Sequence, residues 1–128
     1  AQRLHRPNSP HLSIYQPQVT WYPSGFNRIT GVGLSGVLYA ASLVYLFHPL
    51  YPALDSAHLI SLVHSLPTWV KGGIKFVFAV PFTFHTFNGI RHLAWDTGFG
   101  LTIKGVYTGV YIVMAATAVS SIWLAFFV

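Results

Sequence analysis

Long stretches without a charged residue are the feature that most constrains how this chain can fold. The last 24 residues, 105–128, carry no charge, and neither do the 19 residues 29–47. Each run is long enough to cross a hydrocarbon core roughly 30 Å thick as an α-helix. A third apolar stretch, 73–95, has 15 uncharged residues between Lys75 and Arg91. The sequence therefore predicts an all-α integral membrane protein with three transmembrane helices.

We place the three transmembrane helices at 24–47, 73–95 and 104–127, packed against one another in a bundle. Ser24 is a candidate N-cap of the first helix, because its hydroxyl can accept a hydrogen bond from a free backbone N–H group. Between the first two helices, Asp55 precedes apolar residues that recur on one helical face. This pattern predicts a short amphipathic helix near 56–66 that lies in the membrane interface.

The positions of Lys and Arg predict the orientation of the bundle, since the cytoplasmic or matrix side carries an excess of them. The N-terminal side and the 96–104 loop share one face, which carries five (Arg3, Arg6, Arg28, Arg91 and Lys104). The opposite face carries only Lys71 and Lys75. We therefore expect an N-terminal segment, 1–23, on the inside, which in a mitochondrion is the matrix, and an anchor domain at 24–128 in the bilayer.

Composition excludes several classes of function. Charged residues make up 7% of the chain, against about 25% in an ordinary soluble domain. The formal charge of +5 does not indicate nucleic-acid binding, because the basic residues stand singly and form no patch. The chain has no cysteine, which excludes disulfides, iron–sulfur clusters and covalently attached haem held by this chain alone.

His85 is the histidine farthest from a predicted interface, about 15 Å inside the second span. An ionisable residue at that depth marks a functional site by default. One interpretation is a neutral imidazole that hydrogen-bonds a neighbouring helix. The other is an axial ligand of a haem. One histidine supplies one axial bond, so a bis-histidine haem would need its second ligand from another chain.

Two further pairs of polar residues lie near the predicted inner interface. Arg91 and His92 follow His85 by six and seven residues, where cations can meet haem propionates; snorkelling of Arg91 to headgroups is the alternative. Ser24 and Arg28 share a helix face at i and i+4, where they can donate hydrogen bonds to a quinone. The alternative there is a capping serine and an interfacial arginine.

Three segments resemble the cytochrome b large subunit of mitochondrial-type succinate dehydrogenase. Residues 6–15, RPNSPHLSIY, resemble the opening of that family, and 24–31, SGFNRITG, is similar to its SxxHRxxG motif. Residues 84–96, FHTFNGIRHLAWD, contain its HxxxGxRHLxWD signature, the most specific of the three. The resemblance covers all three spans in order.

The resemblance implies a site and an electron-transport function in the mitochondrial inner membrane. His85 corresponds to the axial ligand of haem b, with the second ligand supplied by a small membrane-anchor subunit. Ser24 and Arg28 correspond to residues that line a ubiquinone site on the matrix side, near the iron–sulfur subunit. Electrons from succinate reach that site through a flavoprotein and the iron–sulfur subunit.

The haem propionates are expected near Arg28, Arg91, His92 and Asn27. Asn27 departs from the family motif, which has a histidine before the arginine. An asparagine can donate a hydrogen bond to a propionate but supplies no positive charge.

Three other functions are alternatives to the one that the resemblance implies. A quinol:fumarate reductase anchor would use the same groups in the opposite direction, and the sequence fixes neither direction nor quinone type. A haem-free structural anchor would use His85 only for packing. A channel or transporter subunit is disfavoured, because polar residues do not line more than one helix and the sequence has no repeat.

Overall fold

The computed structural model describes all 128 residues and is entirely helical. Four α-helices follow one another: α1 (Tyr22–Leu46), α2 (Ser56–Ser65), α3 (Thr68–Asp96) and α4 (Ile103–Phe126). Three short 3-10 helices lie outside them, at Gln2–His5, His11–Ile14 and Pro52–Leu54. The all-helical fold and the short helix after the first span were both predicted correctly.

The start of α1 differs from the prediction, because Ser24 lies inside the helix and is not its N-cap. Trp21 occupies the cap position and makes no side-chain capping hydrogen bond. Pro23 fits the first turn, where a missing N–H group costs no helical hydrogen bond. The indole N–H of Trp21 instead donates to the carbonyl oxygen of Gln16 at 2.9 Å. The hydroxyl of Ser24 therefore has no capping role.

Asp55 caps α2 in the way the sequence suggests. Its Oδ1 accepts a hydrogen bond from the backbone N–H of His58 at 2.8 Å, and Nδ1 of His58 lies 2.7 Å from the same oxygen. These hydrogen bonds, the backbone one above all, hold the pKa of Asp55 below its ordinary value of 3.8. The location of α2 in a membrane interface stays a prediction.

The third helix is longer than predicted, because it begins at Thr68 and not near residue 73. Pro67 precedes it as the cap residue, and the first turns then include Lys71 and Lys75. The 29 residues of α3 extend over about 43 Å at 1.5 Å per residue. By length and apolar composition, α1 and α4 are the two helices that qualify as membrane spans. That α3 also crosses the membrane stays a prediction.

α3 lies between α1 and α4 and packs against both, more extensively against α4. The turn between α3 and α4 is tight, and it contains Gly98 and Gly100 at φ of 83° and 76°. These values are unfavourable for residues with a Cβ atom. A Cβ atom on Gly105 would lie 2.7 Å from the carbonyl oxygen of Gly100, so the first turn of α4 packs directly on the preceding turn.

The burial of polar and apolar side chains is the reverse of that in a soluble protein. Six of the twelve buried residues are polar or charged (Thr30, Thr83, Asn88, Arg91, Thr117 and Ser121). Large apolar side chains such as Leu38, Ile112 and Val119 are exposed along the outside of α1 and α4. Apolar surface on this scale is stable only next to lipid or protein. The distribution supports insertion of the chain in a membrane.

A buried pair of hydroxyl groups joins α3 to α4. Oγ1 of Thr83 and Oγ of Ser121 are 2.8 Å apart, and both residues are almost fully buried. In a hydrocarbon environment neither hydroxyl has water as an alternative partner. The pair therefore specifies how the two helices lie against each other.

Replacing Ser121 with alanine should weaken the contact between α3 and α4. The expected loss is about 0.6 kcal/mol, the typical value for an interhelical hydrogen bond in a membrane. Unfolding in mixed detergent micelles would measure the change. Ser42→Ala is the matched control, because the Ser42 hydroxyl is exposed and bonds only the Leu38 carbonyl of its own helix. Equal effects of both substitutions would contradict an interhelical role.

Acidification should fray α2 because Asp55 caps it as a carboxylate. A lowered pKa means that the stabilisation is present above the unfolded-state pKa and is lost as the pH falls through the folded-state pKa. Amide exchange protection of α2 should therefore drop between about pH 5 and about pH 2, the range in which such carboxylates titrate. Asp55→Asn keeps a capping oxygen and should remove this pH dependence. A pH dependence that persists in Asp55→Asn would show that another group causes it.

Candidate functional site

The imidazole of His85 faces α1 and makes a specific contact with its backbone. Nδ1 of His85 lies 3.0 Å from the carbonyl oxygen of Asn27 and 3.4 Å from Oγ1 of Thr30. A carbonyl oxygen can only accept a hydrogen bond, so Nδ1 carries the proton and donates it. The neutral ring then has its lone pair on Nε2. No hydrogen bond within the chain uses that lone pair.

α1 comes unusually close to the His85 ring at Gly31. A Cβ atom on Gly31 would lie 2.7 Å from Cε1 of His85 and 3.6 Å from Nε2. The Cε1 edge of the ring can therefore approach α1 this closely only because residue 31 has no side chain. The depth of His85, its fixed ring and its free Nε2 are all properties of a metal-ligating histidine.

The chain contains no cluster of three or more side chains that could hold a metal ion. A haem iron needs only axial ligands from protein, since the porphyrin supplies the other four. The donor set here, one histidine whose second nitrogen donates to a carbonyl, fits an axial haem ligand. It does not fit a metal bound by this chain alone.

Two unpaired polar atoms lie near His85 on the side of the inner interface. His92 follows His85 by seven residues, so the two rings share a helix face and are separated by about 10 Å along the axis. Nε2 of His92 is buried without a hydrogen-bond partner, and so is Oδ1 of Asn27. Buried polar atoms normally have partners, so both atoms are available to a group that binds here.

The side chain of Arg91 packs on Trp95 and against α4. Its guanidinium lies 4.4 Å from the ring centre of Trp95, and its Cδ would lie 3.1 Å from a Cβ atom on Gly109 of α4. Nε and Nη1 of Arg91 are buried without a partner. Successive helical residues point about 100° apart, so Arg91 and His92 leave α3 in different directions. Both nevertheless contact Trp95, because the ring centres of His92 and Trp95 are 4.8 Å apart.

Ser24 and Arg28 lie in the first two turns of α1, at the end of the helix that contacts α3 near His85. Ser24 is half-buried and Arg28 is exposed. The i, i+4 spacing places them on one face, but no hydrogen bond joins them. Both side chains are therefore available to a ligand or to another subunit.

An apolar groove of about 540 Å³ lies on a different side of α1, between α1 and α4. The groove is lined by Val19, Tyr22, Pro23, Phe26, Phe84, Val110, Tyr111 and Met114. Phe26 and Arg28 are two residues apart, which places their side chains about 200° apart around the helix axis. The groove is therefore separate from the face that carries Ser24 and Arg28.

Asn88 is a buried polar residue near His85 that was not predicted from the sequence. It is fully buried, and neither Nδ2 nor Oδ1 has a hydrogen-bond partner. An amide inside an apolar span was the available signal, because such a group is costly in hydrocarbon unless it faces a partner. Asn88 lies one turn from both His85 and Arg91 on α3, between the two faces that they occupy.

Comparison with known proteins identifies the relatives of this chain. The family model described as succinate dehydrogenase/fumarate reductase transmembrane subunit matches residues 2–124. The mitochondrial succinate dehydrogenase cytochrome B subunit of Schizosaccharomyces pombe is 52% identical over 98% of this chain and 70% of its own length.

Animal relatives are more distant but cover nearly the same region. The mitochondrial succinate dehydrogenase cytochrome b560 subunit of Bos taurus is 40% identical over 95% of this chain and 71% of the relative. That of Caenorhabditis briggsae is 39% identical over 91% of this chain and 62% of the relative. The chain thus spans between 62% and 71% of the length of these three proteins.

Proposed function

Because this chain belongs to the succinate dehydrogenase/fumarate reductase transmembrane subunit family, we propose that it is the large membrane anchor of a succinate:ubiquinone oxidoreductase. The mitochondrial relatives support a location in the mitochondrial inner membrane. The inverted burial of polar and apolar residues supports an anchoring role. The chain would serve the complex as its quinone-binding part, while succinate is oxidised on the flavoprotein subunit.

In this proposal α1, α3 and α4 all cross the membrane. The length of α3, about 43 Å, and its position between the two apolar helices support a third span. The excess of Lys and Arg on one side supports an N-terminal segment in the matrix. The short helix α2 would then lie at the opposite face of the membrane.

His85 is proposed as one axial ligand of a haem b that the chain shares with a small anchor subunit. The single observation that carries this assignment is the hydrogen bond from Nδ1 to the Asn27 carbonyl, which leaves Nε2 free at membrane depth. Asn27, Arg28 and His92 would surround the propionates, and the buried, unpaired Nε2 of His92 supports this arrangement. Asn27 would contact a propionate through its NH2 group, because its unpaired Oδ1 can only accept a hydrogen bond. Arg91 belongs to this environment through its unpaired charge, although its side chain faces α4.

Ser24 and Arg28 are proposed to bind ubiquinone beside the iron–sulfur subunit. The Arg28 guanidinium would stabilise negative charge that develops on a quinone oxygen as electrons arrive, and the Ser24 hydroxyl would donate to a carbonyl oxygen. The exposure of Arg28 and the partial exposure of Ser24 support this role, because the ligand and a partner subunit need access. When bound, haem supplies one-electron redox chemistry next to this site.

Two alternatives use the same architecture. A quinol:fumarate reductase anchor would bind the same ligands in the reverse direction, and the family description includes fumarate reductase. A structural anchor without haem would leave Nε2 of His85 without a ligand. A reduced-minus-oxidised spectrum of the purified complex with succinate as reductant separates the haem-containing anchor from the haem-free one.

Arg28→Ala should lower succinate:quinone reductase activity by about 100-fold, the typical cost of removing one preorganised donor. Succinate oxidation by a soluble artificial acceptor should remain, because that reaction bypasses the quinone site. Lys104→Ala is the control for a lost cation at the same side of the membrane. An equal loss of both activities in Arg28→Ala would count against a quinone role, because the effect would not be confined to quinone reduction.

His85→Leu should remove or alter the b-type haem spectrum of the complex, because leucine offers no ligand atom. The visible difference spectrum after reduction by dithionite measures this directly, without any turnover. His64→Leu is the matched control, since His64 is exposed on α2 and lies outside the proposed site. An unchanged spectrum in His85→Leu would overturn the ligand assignment.

A further inference from the structure

The surroundings of His85 on α1 form a shaped contact surface, which we call the imidazole seat. It consists of Thr30, Gly31 and the backbone carbonyl of Asn27. These three groups lie within a single turn of α1, and each one touches the ring. α1 thus meets His85 through a carbonyl, a hydroxyl and a bare backbone, without any bulky side chain.

Gly31 determines how closely the ring approaches α1. Carbon atoms in contact are ordinarily about 3.5–4.0 Å apart, whereas a Cβ atom on Gly31 would lie 2.7 Å from Cε1 of His85. An alanine there would push the ring outward or rotate it. Either movement would lengthen the 3.0 Å hydrogen bond from Nδ1 to Asn27. The absence of a side chain at position 31 therefore maintains the hydrogen bond at position 27.

Thr30 adjusts the strength of that hydrogen bond. Its hydroxyl is buried, lies 3.0 Å from the Asn27 carbonyl oxygen, and donates to that oxygen or to the Phe26 carbonyl at 2.9 Å. A hydroxyl has one proton, so Thr30 donates to only one of these two carbonyl oxygens at a time. When it donates to the Asn27 oxygen, that oxygen accepts from both Thr30 and Nδ1–H of His85. Since the contact is removed from water, changes in this network alter the hydrogen bond more than they would at a surface.

We propose that Thr30 and Gly31 are positioning residues that fix the tautomer, the plane and the electron density of the His85 imidazole. The proposal rests on the proposed haem-binding role of His85. A hydrogen bond from Nδ1–H to a carbonyl increases the electron density available at Nε2. An electron-rich axial ligand stabilises oxidised iron more than reduced iron. The imidazole seat therefore holds the midpoint potential of the haem below the value that an unsupported histidine would give.

The test compares glycine substitutions in the assembled complex. Gly31→Ala should shift the haem midpoint potential to more positive values and change the g values of the oxidised haem in electron paramagnetic resonance. Gly33→Ala is the matched control, because it adds the same methyl group to the same helix where a Cβ atom would contact nothing within 4 Å. Its potential and spectrum should equal those of the wild type.

A second pair of variants, at Thr30, tests the proposal even if the Gly31→Ala complex does not assemble. Thr30→Val removes the hydroxyl at nearly constant volume and leaves His85 as the one side chain that donates to the Asn27 oxygen, so the potential should move to more negative values. Thr30→Ser keeps the hydroxyl and should restore the wild-type potential. The proposal is overturned if Gly31→Ala keeps the wild-type potential, or, where that variant does not assemble, if Thr30→Val keeps it. A wild-type complex without haem would instead refute the proposed function.

Discussion

Polar groups surrounded by hydrocarbon must find partners within the protein, and α3 is where this chain supplies them. Toward α4, Thr83 bonds the hydroxyl of Ser121, and toward α1, His85 donates to the Asn27 carbonyl. Lipid offers no hydrogen bonds, so each contact fixes a helix that apolar packing alone would leave free to rotate. The arrangement of the bundle, and with it the position of the imidazole, follows from these few inward-facing groups.

The two sides of α1 are chemically different, and the difference organises the site. One side carries the apolar groove next to α4, while the other carries Ser24 and Arg28. His85 and Gly31 meet between them, on the contact between α1 and α3. Polar groups that lack partners within the chain, on Asn27 and His92, are also concentrated near this contact. Buried polar atoms without partners also occur toward α4, on Arg91 and Thr117, so both sides of α3 keep polar groups that the chain itself does not pair.

The helices that were predicted correctly from the sequence are those that depend on a local pattern of residues. Uncharged runs located α1 and α4, and Asp55 marked the start of α2. The start of α3 was misplaced because a helix may include lysines that an apolar window excludes, and Ser24 was misassigned because Pro23 and Trp21 begin the helix earlier. The sequence predicted that His85 lies deep in the second span, and this stays a prediction. The contacts of the His85 ring could not be predicted from the sequence. They are a backbone carbonyl 58 residues away and a glycine 54 residues away, and neither leaves a local pattern.

The hydrogen bond between His85 and Asn27 joins residues 58 positions apart, on helices separated by α2 and its flanking turns. Until α1 docks on α3, the imidazole can carry its proton on either nitrogen and can turn freely. Only the docked bundle presents one nitrogen in one direction. If His85 is the proposed haem ligand, a half-folded subunit would offer iron a poorer ligand than a finished one. Cofactor retention would then act as a checkpoint on the completeness of folding.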